Sequence, residues 1–251
     1  MKHISTLILI AIFLFTFENG QAQLRTKTNF GSDWEFRKEG QDTWEKVTLP
    51  HTANIENLVV VKQFQGVSYY QKKFKANPSK ESKVFLYFEG VMSEAEVFIN
   101  NQKAANHKGG YLPFTVDVTP YLNKDSDNLV TLKVANVDNP EIPPGKAIKD
   151  LDFNFYGGIY RNVYLITTNK LFITDPVQVN KKASGGVFVN FNSVSKNKAE
   201  GIIKVHLKNE FSKKQSLYLK YTLTSKSGKK FELQSKKFSV EPNTYIEITQ
   251  H

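Results

Sequence analysis

The chain has 251 residues, and its 40% apolar and 13% aromatic residues are enough to fill one large or two ordinary hydrophobic cores, which excludes wholesale disorder. The absence of cysteine excludes disulfides, thiolate metal sites and a lipid-modified N-terminal cysteine, so stability has to come from packing. The formal net charge of +10 is uneven: residues 171–251 hold 14 lysines and six acidic residues, whereas residues 1–170 hold 20 basic and 18 acidic ones.

The lysines of residues 171–251 are spread through segments in which apolar and polar residues alternate. They lack the arginines and interleaved aromatic side chains that a nucleic-acid surface needs. We interpret them as a solvated face and expect no nucleic-acid partner.

The N-terminus has the order of a signal peptide. Lys2 is followed by a largely apolar stretch over residues 7–17 and then by residues 20–22, which are small or uncharged. A transmembrane anchor is the alternative, but roughly 11 apolar residues fall short of the ~20 that cross a bilayer. The sequence therefore predicts a signal peptide over residues 1–22, cleaved near Ala22, and a periplasmic or secreted protein that keeps no membrane span.

Alternating apolar residues predict the strands of the first half. Residues 84–88 form a continuous apolar run of the kind that is buried on both faces of a sheet, whereas residues 95–99 and 130–134 are apolar at every second position. Residues 159–165 close this half with another β-rich segment, and no segment after residue 22 shows a 3.6-residue apolar stripe. Turn-forming residues punctuate the strands at short intervals, as expected of a sandwich or barrel: Asn100-Asn101, Gly109-Gly110, residues 123–127 and Pro143-Pro144-Gly145.

A second β-rich unit begins near residue 170. Its alternating sets predict roughly seven short strands in about 80 residues, the number expected of an immunoglobulin-like sandwich. The sets lie at residues 187–191, 203–207, 217–223, 231–233 and 238–240. The last residues, 249–251, follow directly on the alternating segment 245–248, so we expect the immunoglobulin-like domain to be incomplete.

Neither a nucleophile nor a metal site is indicated by the sequence. His51, His107 and His206 are far apart and lack the i, i+4 spacing of a helical metal site. There is also no Gly-x-Ser-x-Gly motif and no Gly-rich phosphate loop before a helix. We therefore assign no metal ligand and no cofactor, and we interpret the pairs Gly109-Gly110 and Gly157-Gly158 as places where the backbone leaves no room for a side chain.

Two pairs of carboxylates could in principle serve glycoside hydrolysis, which needs two acids ~5 to 10 Å apart. Glu94 and Glu96 are two residues apart on one strand and would point the same way. Nothing near them would raise one pKa without the other, so we interpret them as the polar face of a half-buried strand. Asp150 and Asp152 have the same spacing in a loop.

Three groups of segments, in this order, resemble the sugar-binding domain of glycoside hydrolase family 2, the family of β-galactosidases, β-glucuronidases and β-mannosidases. They lie at residues 44–54 and 66–74, then 88–119, then 157–165. Their most distinctive parts are Leu49-Pro50-His51-Thr52-x-Asn54, His107-Lys108-Gly109-Gly110-Tyr111-x-Pro113-Phe114 and Gly157-Gly158-Ile159-Tyr160-Arg161. The resemblance implies an all-β chain: a jelly-roll, galactose-binding-like sandwich over residues 23–169, then an immunoglobulin-like sandwich over residues 170–251.

The resemblance also implies where chemistry and binding lie. In the family, two glutamates on a later (β/α)8 barrel do the chemistry, and a barrel needs ~250 residues. Asn209-Glu210 is similar to the family's Asn-Glu pair but follows a strand of the second sandwich, so we assign no catalytic residue. Asn54 and Asp152 correspond to positions from which the first domain of some members contacts sugar hydroxyls. Their alternative interpretations are a turn-forming Asn and a loop acid bonded to backbone amides.

The function expected from the sequence is that of a non-catalytic, sugar-binding N-terminal region of a β-galactosidase-like enzyme that hydrolyses O-glycosidic bonds. Its partners would be a β-linked glycoside and a catalytic barrel that this chain lacks, and alone it would bind sugar weakly and hydrolyse nothing. In this interpretation Phe153, Phe155 and Tyr156 shape one wall of the sugar pocket, and Arg161 forms an ion pair between strands. The alternative is a free-standing secreted carbohydrate-binding module with exposed aromatic side chains.

Overall fold

Strands of alternating burial build a β-sandwich from the first part of the chain. The computed structural model describes residues 25–56, 58, 62–196 and 198–251, so the predicted signal peptide lies outside the described residues. Ten strands precede residue 170: β1 (Thr26–Asn29), β2 (Trp34–Lys38), β3 (Glu45–Val47), β4 (Gly66–Lys75), β5 (Ser82–Phe88), β6 (Glu94–Ile99), β7 (Gln102–Lys108), β8 (Phe114–Asp117), β9 (Asp127–Asn136) and β10 (Val163–Asn169). Short 3-10 helices lie at Thr119–Tyr121 and Ile148–Asp150.

These strands form two antiparallel sheets. One has the order β1-β10-β5-β8, and the other has the order β3-β2-β4-β9-β6-β7. Side chains alternate between the inside and the outside along β6 and β9, as the sequence predicts, because neighbouring residues of a strand point to opposite faces. The inward side chains form one core, whose largest fully buried members include Trp34, Tyr70, Phe88, Leu86 and Ile99.

The second part of the chain is a smaller pair of facing β-layers. Its elements are β11 (Leu171–Ile173), α1 (Pro176–Val179), β12 (Val187–Val194), β13 (Ala199–Asn209), β14 (Gln215–Leu217), β15 (Lys220–Thr224), β16 (Lys230–Gln234), β17 (Phe238–Val240) and β18 (Tyr245–Gln250). β13 pairs with β11, β12 and β18, while β14 with β17 and β15 with β16 form two-stranded sheets. The all-β prediction is therefore confirmed. Among the described residues, no helix is long and apolar enough to cross a membrane.

Strand β5 is buried on both faces, as its continuous apolar sequence predicts. Val84 and Leu86 point into the first core, whereas Phe85 points outward and packs against Phe172 of β11, with 5.6 Å between the ring centroids. The second layer pair thus covers the outer face of β5. Backbone hydrogen bonds continue the contact, from Lys170 N to Glu81 O and from Glu210 N to Lys170 O.

A buried lysine joins the two sandwiches. Lys83 of β5 is 8% exposed, and its ammonium group lies between the carboxylates of Asp117 in the first sandwich and Glu210 in the second. Burial alone would lower the pKa of Lys83, but the two carboxylates outweigh burial and raise it. Burial alone would raise the pKa of Glu210, but Lys208 and Lys83 outweigh burial and lower it. Glu210 is therefore an ion-pair residue that links the two sandwiches.

Replacing this lysine should destabilise the protein. Lys83→Met removes the cation between Asp117 and Glu210 and leaves Glu210 with Lys208 alone. Removing one partner of a buried pair costs about 3–5 kcal/mol, and the partial exposure of both carboxylates should reduce this to about 1–3 kcal/mol. Urea unfolding followed by tryptophan fluorescence measures the change.

The matched control is Lys75→Met. Lys75 and Asp127 form an exposed pair at 4.0 Å, so this variant should change the free energy of unfolding by less than about 0.5 kcal/mol. Equal stability of the two variants at pH 7 would contradict the assigned role of Lys83.

The contribution of Glu210 to stability depends on pH. Because the folded pKa of Glu210 is lowered, its stabilising effect is present above its unfolded pKa of about 4.3 and is lost as the pH falls through the folded value.

Candidate functional site

Four loops meet at the end of the first sandwich that lies away from the second. These loops adjoin strand ends that lie side by side in the two sheets. Gly66 of β4 pairs with Asn136 of β9. Phe88 of β5 pairs with Phe114 of β8 and with Val163 of β10. Their described residues are 48–56, 58 and 62–65 in the first loop, and 89–93, 109–113 and 137–162 in the others. Both predicted sugar contacts, Asn54 and Asp152, lie in this set of loops, which we call the loop end.

Residues 157–159 form the centre of the loop end, because this segment is hydrogen-bonded on both sides. On one side the N–H groups of His51 and Ala53 donate to the carbonyls of Ile159 and Gly157, both at 2.8 Å. On the other side Met92 and Gly158 exchange two backbone hydrogen bonds of 2.9 and 3.0 Å. The loop that carries Asp152 is therefore fixed directly to the segment that leads into Asn54.

Only glycine fits at position 158. Its φ is +122°, and a Cβ atom there would lie 2.5 Å from the hydroxyl oxygen of Tyr70 and 2.9 Å from the carbonyl oxygen of His51. The Tyr70 hydroxyl also lies 3.0 Å from Nδ1 of His51, and burial raises the pKa of Tyr70. The same crowding occurs at Gly157, where a Cβ atom would lie 2.6 Å from the side chain of Asn136. The interpretation of Gly157 and Gly158 as a steric requirement is confirmed, whereas the same interpretation is wrong for Gly109, where a Cβ atom would meet no atom within 4 Å.

Asn54 is held by charged neighbours on an exposed part of the loop end. Its Nδ2 donates to Oε1 of Glu56 at 2.8 Å, and its Oδ1 accepts from Nζ of Lys38 at 3.3 Å. Oε1 of Glu56 also accepts from the N–H of Phe64 at 3.0 Å. Burial alone would raise the pKa of Glu56, but the hydrogen bonds from Asn54 and Phe64, with help from Lys38, outweigh burial and lower it. Asn54 is therefore oriented by a carboxylate that stays ionised near neutral pH.

Amide side chains tie the two long loops together. Nε2 of Gln63 donates to the carbonyl of Phe153 and to Oδ1 of Asn154, and the N–H of Phe155 donates to Oε1 of Gln63. Nδ2 of Asn136 donates to the carbonyls of Phe64 and Phe155. The segments that carry the two predicted contacts therefore hold a fixed relative position.

Asp152 differs from Asn54 in being without partners. Its side chain is exposed and forms no hydrogen bond or ion pair within the part of the chain that the structure describes. The alternative interpretation, a loop acid bonded to backbone amides, is therefore not what the structure shows. No direct hydrogen bond joins Asn54 and Asp152 in the described ranges, although their loops are connected.

The three aromatic residues predicted to shape a sugar pocket differ in exposure. Phe153 is 42% exposed, whereas Phe155 and Tyr156 are half-buried. The Tyr156 hydroxyl donates to the carbonyl of Glu56 at 3.0 Å, which makes Tyr156 part of the link between the loops. Phe153 is thus the residue of the three that presents a ring to solvent.

The side chain of Arg161 lies on an aromatic ring. The predicted ion pair of Arg161 is not found among the described residues; its guanidinium group lies over the ring of Tyr160, 5.6 Å from the centroid. The links made by Glu56, Gln63 and Asn136 were not anticipated. Their only signal is the polarity of these residues next to the family-like segments, which does not identify their partners.

Two of the acidic residues considered in the sequence analysis, Glu96 and Glu210, are paired with lysines. Glu96 is held by Lys103 and Lys133, and the hydrogen bond from Lys103 lowers its pKa, whereas a general acid needs a raised pKa. Glu210 is held in the same way by Lys83 and Lys208. No group of three or more His, Cys, Asp or Glu side chains that could hold a metal ion occurs within residues 25–56, 58, 62–196 and 198–251.

Residues 21–169 match the family model described as "Glycosyl hydrolases family 2, sugar binding domain". Over 211 residues, which is 83% of this chain and 29% of the relative, the chain is 32% identical to a β-glucuronidase of Bacteroides fragilis. It is 30% identical to a β-galactosidase of Thermoanaerobacterium thermosulfurigenes over 233 residues, which is 87% of this chain and 30% of the relative.

The fold has matches among solved structures. A β-glucuronidase from glycoside hydrolase family 2 superposes with a TM-score of 0.76 and 25% sequence identity, over 90% of this chain and 26% of the other. The chain therefore spans less than a third of the length of each of these three proteins.

Adding a methyl group at Gly158 should disrupt the loop end. Gly158→Ala combines a left-handed backbone with clashes against Tyr70 and His51, so we expect a loss of about 3 kcal/mol or more in the free energy of unfolding. Gly109→Ala is the matched control, because Gly109 has a φ of +116° but a Cβ atom there would meet no atom within 4 Å, and it should lose only about 1–2 kcal/mol. Urea unfolding measures both, and equal losses would contradict the steric argument.

Proposed function

Since the chain belongs to glycoside hydrolase family 2, we propose that it supplies the non-catalytic, sugar-binding part of an exported glycosidase of this family. The ligand would be a β-linked glycoside, as the relatives' names indicate. Asn54 and Asp152 would contact its hydroxyl groups. An amide and a carboxylate together offer the donors and acceptors that fix the orientation of a sugar.

The observation that carries this proposal is the contrast at the loop end between loops held in fixed positions and the carboxylate of Asp152, which has no partner in the described chain. Glu56 orients Asn54, and Gln63 and Asn136 hold the loop of Asp152 in place. The carboxylate of Asp152 nevertheless has no partner of its own in the described chain. A polar group on a rigid support, with its hydrogen-bonding capacity unused, is suited to bind a ligand.

Hydrolysis is assigned to a catalytic barrel, which the described residues do not contain. Three apolar side chains at the loop end, Ile55, Leu58 and Phe153, are 76%, 75% and 42% exposed. Exposed apolar groups next to polar binding residues are typical of surfaces that another domain covers. We propose that the barrel packs at this end, so that Asn54 and Asp152 reach its sugar pocket.

A free-standing carbohydrate-binding module is the second candidate. Exposed rings at the loop end favour it, because Tyr111 is 46% exposed and lies in the same set of loops as Phe153. Aromatic faces stack on sugar rings without help from a second domain. The two candidates differ in the affinity that they require of this chain alone.

The proposed sugar contacts can be tested by titrating p-nitrophenyl β-D-galactoside and β-D-glucuronide into the 15N-labelled protein. Shifts should appear at loop-end amides with a millimolar Kd, and Asn54→Ala and Asp152→Ala should each weaken binding about three- to tenfold, the loss expected for one hydrogen bond. Asp127→Ala, at the opposite end of the sandwich, is the control and should bind as the wild type does.

The same samples distinguish the candidates. If the loop end is one wall of a larger site, binding should be weak and no p-nitrophenol should be released. A micromolar Kd would favour the free-standing module. Turnover that disappears on substitution of this chain's own acidic residues would contradict both. Absence of any shift at the loop end would contradict the proposed contacts.

Export is proposed from the N-terminal residues alone. The protein should be secreted or periplasmic, and the mature form should begin near residue 23, because signal peptidase cleaves after small residues such as Ala22. Intact mass spectrometry of the protein recovered outside the cytoplasm measures this. A mass that retains residues 1–22 would contradict the prediction.

A further inference from the structure

A cavity of about 150 Å³ lies where the two sandwiches meet, and we call it the junction cavity. Its walls include Phe85 and Asp117 of the first sandwich and Gln178, Lys208, Glu210 and Tyr245 of the second. One water molecule needs about 10–15 Å³, so the junction cavity has room for roughly ten of them. Pockets for drug-sized ligands start at about 300 Å³, so this one suits a smaller molecule.

The charged side chains at the junction cavity are paired with one another. Asp117 pairs with Lys83, and Glu210 pairs with both Lys83 and Lys208. Two ammonium groups thus balance two carboxylates, and the formal charge of the group is zero. A charged ligand would leave water without finding an uncompensated opposite charge, which is unfavourable. The lining therefore favours a neutral ligand.

Hydrogen-bonding capacity is nevertheless left over on these walls. A carboxylate can accept about four hydrogen bonds. Asp117 accepts from Lys83 and from the N–H of Thr119, and Glu210 accepts from two lysines. The side-chain amide of Gln178 forms no hydrogen bond within the part of the chain that the structure describes. Unused acceptors and donors from both sandwiches therefore adjoin the cavity, which suits hydroxyl groups because a hydroxyl both donates and accepts.

Aromatic rings supply the apolar part of the walls. Phe85 and Phe172 both line the junction cavity, with 5.6 Å between their ring centroids. The ring of Tyr245 is stacked on His206 at 5.4 Å, which holds it in place although it is 53% exposed. Aromatic rings beside a few polar groups match a sugar, whose C–H faces pack on rings while its hydroxyl groups bond the polar side chains.

We propose that the junction cavity binds one neutral sugar residue and is a site separate from the loop end. The carboxylates of Asp117 and Glu210 and the amide of Gln178 bond its hydroxyl groups. The rings of Phe85 and Tyr245 pack against its apolar face. Because both sandwiches contribute, a bound sugar also stabilises the contact between them.

The test titrates methyl β-D-galactopyranoside and methyl β-D-glucopyranoside into the full 15N-labelled chain. Amides beside the junction cavity, such as those of Gln178 and Tyr245, should shift with a millimolar Kd for at least one of the two sugars. Methyl β-D-glucuronide should bind about threefold or more weakly, because its carboxylate would lie near Asp117 and Glu210 without an unpaired cation. Cyclohexanol, a ring with one hydroxyl group, should bind about tenfold more weakly, since it forgoes most of the hydrogen bonds.

Variants of two wall residues test the site from the side of the protein. Gln178→Ala and Tyr245→Ala should each weaken binding about three- to tenfold, the loss expected for one hydrogen bond or one aromatic contact. Val177→Ala and Tyr218→Ala are the matched controls and should bind as the wild type does, because they are 41% and 55% exposed and do not line the cavity. All four positions are exposed, so the melting temperatures should stay within a few degrees of the wild type, which thermal melting verifies.

Three results would overturn the proposal. They are the absence of shifts at the cavity amides with both neutral sugars, equal binding of cyclohexanol or the glucuronide, and unchanged binding in Gln178→Ala and Tyr245→Ala. Asp152→Ala should leave the shifts at the junction cavity unchanged. A failure at the loop end and a failure at the junction cavity are therefore separate results.

Discussion

The loop end depends on the insertion of a bare backbone segment, residues 157–159, between two others. Its hydrogen bonds to His51 and Ala53 on one side and to Met92 on the other are short-range interactions between main-chain atoms. They require the three segments to approach more closely than any Cβ atom at position 158 would permit. Asn54 directly follows Ala53, and Asp152 lies in the loop that leads into this segment, so both are positioned relative to it.

Burial and charge distinguish two regions of the first sandwich. The end that carries the loops exposes apolar and polar side chains together, which suits a ligand or a covering domain. The opposite end is joined to the second sandwich through Phe85, Phe172 and the ion pairs of Lys83. Because Lys83 is buried and satisfied by two carboxylates, this contact has a defined geometry, and the second sandwich is held away from the proposed sugar contacts.

The strands could be predicted from the sequence because their signal is local. Alternation along β6 and β9, and the unbroken apolar run of β5, reflect which face of each strand is buried, and the structure confirms them. The family-like segments likewise located Gly157 and Gly158, whose steric role is local enough to be inferred from residue type. These features together account for most of the fold.

The side-chain links of the loop end could not be predicted in the same way. Gln63 binds residues about 90 positions away, and its segment has no periodicity that would indicate a partner. Glu56 accepts hydrogen bonds both from the side chain of Asn54 and from the backbone N–H of Phe64. Both bonds depend on the path of a loop, which no strand pattern predicts. Arg161 forms no ion pair among the described residues, and its guanidinium group lies over the ring of Tyr160 instead.

The second sandwich shows that an alternating apolar pattern does not guarantee burial of the apolar side chains. Val189 and Phe191 follow the pattern of core residues as well as Val205 and Leu207 do, yet only the latter pair is buried. A strand's pattern states which face is apolar, and burial requires a second layer wide enough to cover that face. Val205 and Leu207 meet Tyr221 of β15 in a buried cluster, whereas Val189 and Phe191 line an open cleft together with Leu223 and Leu233.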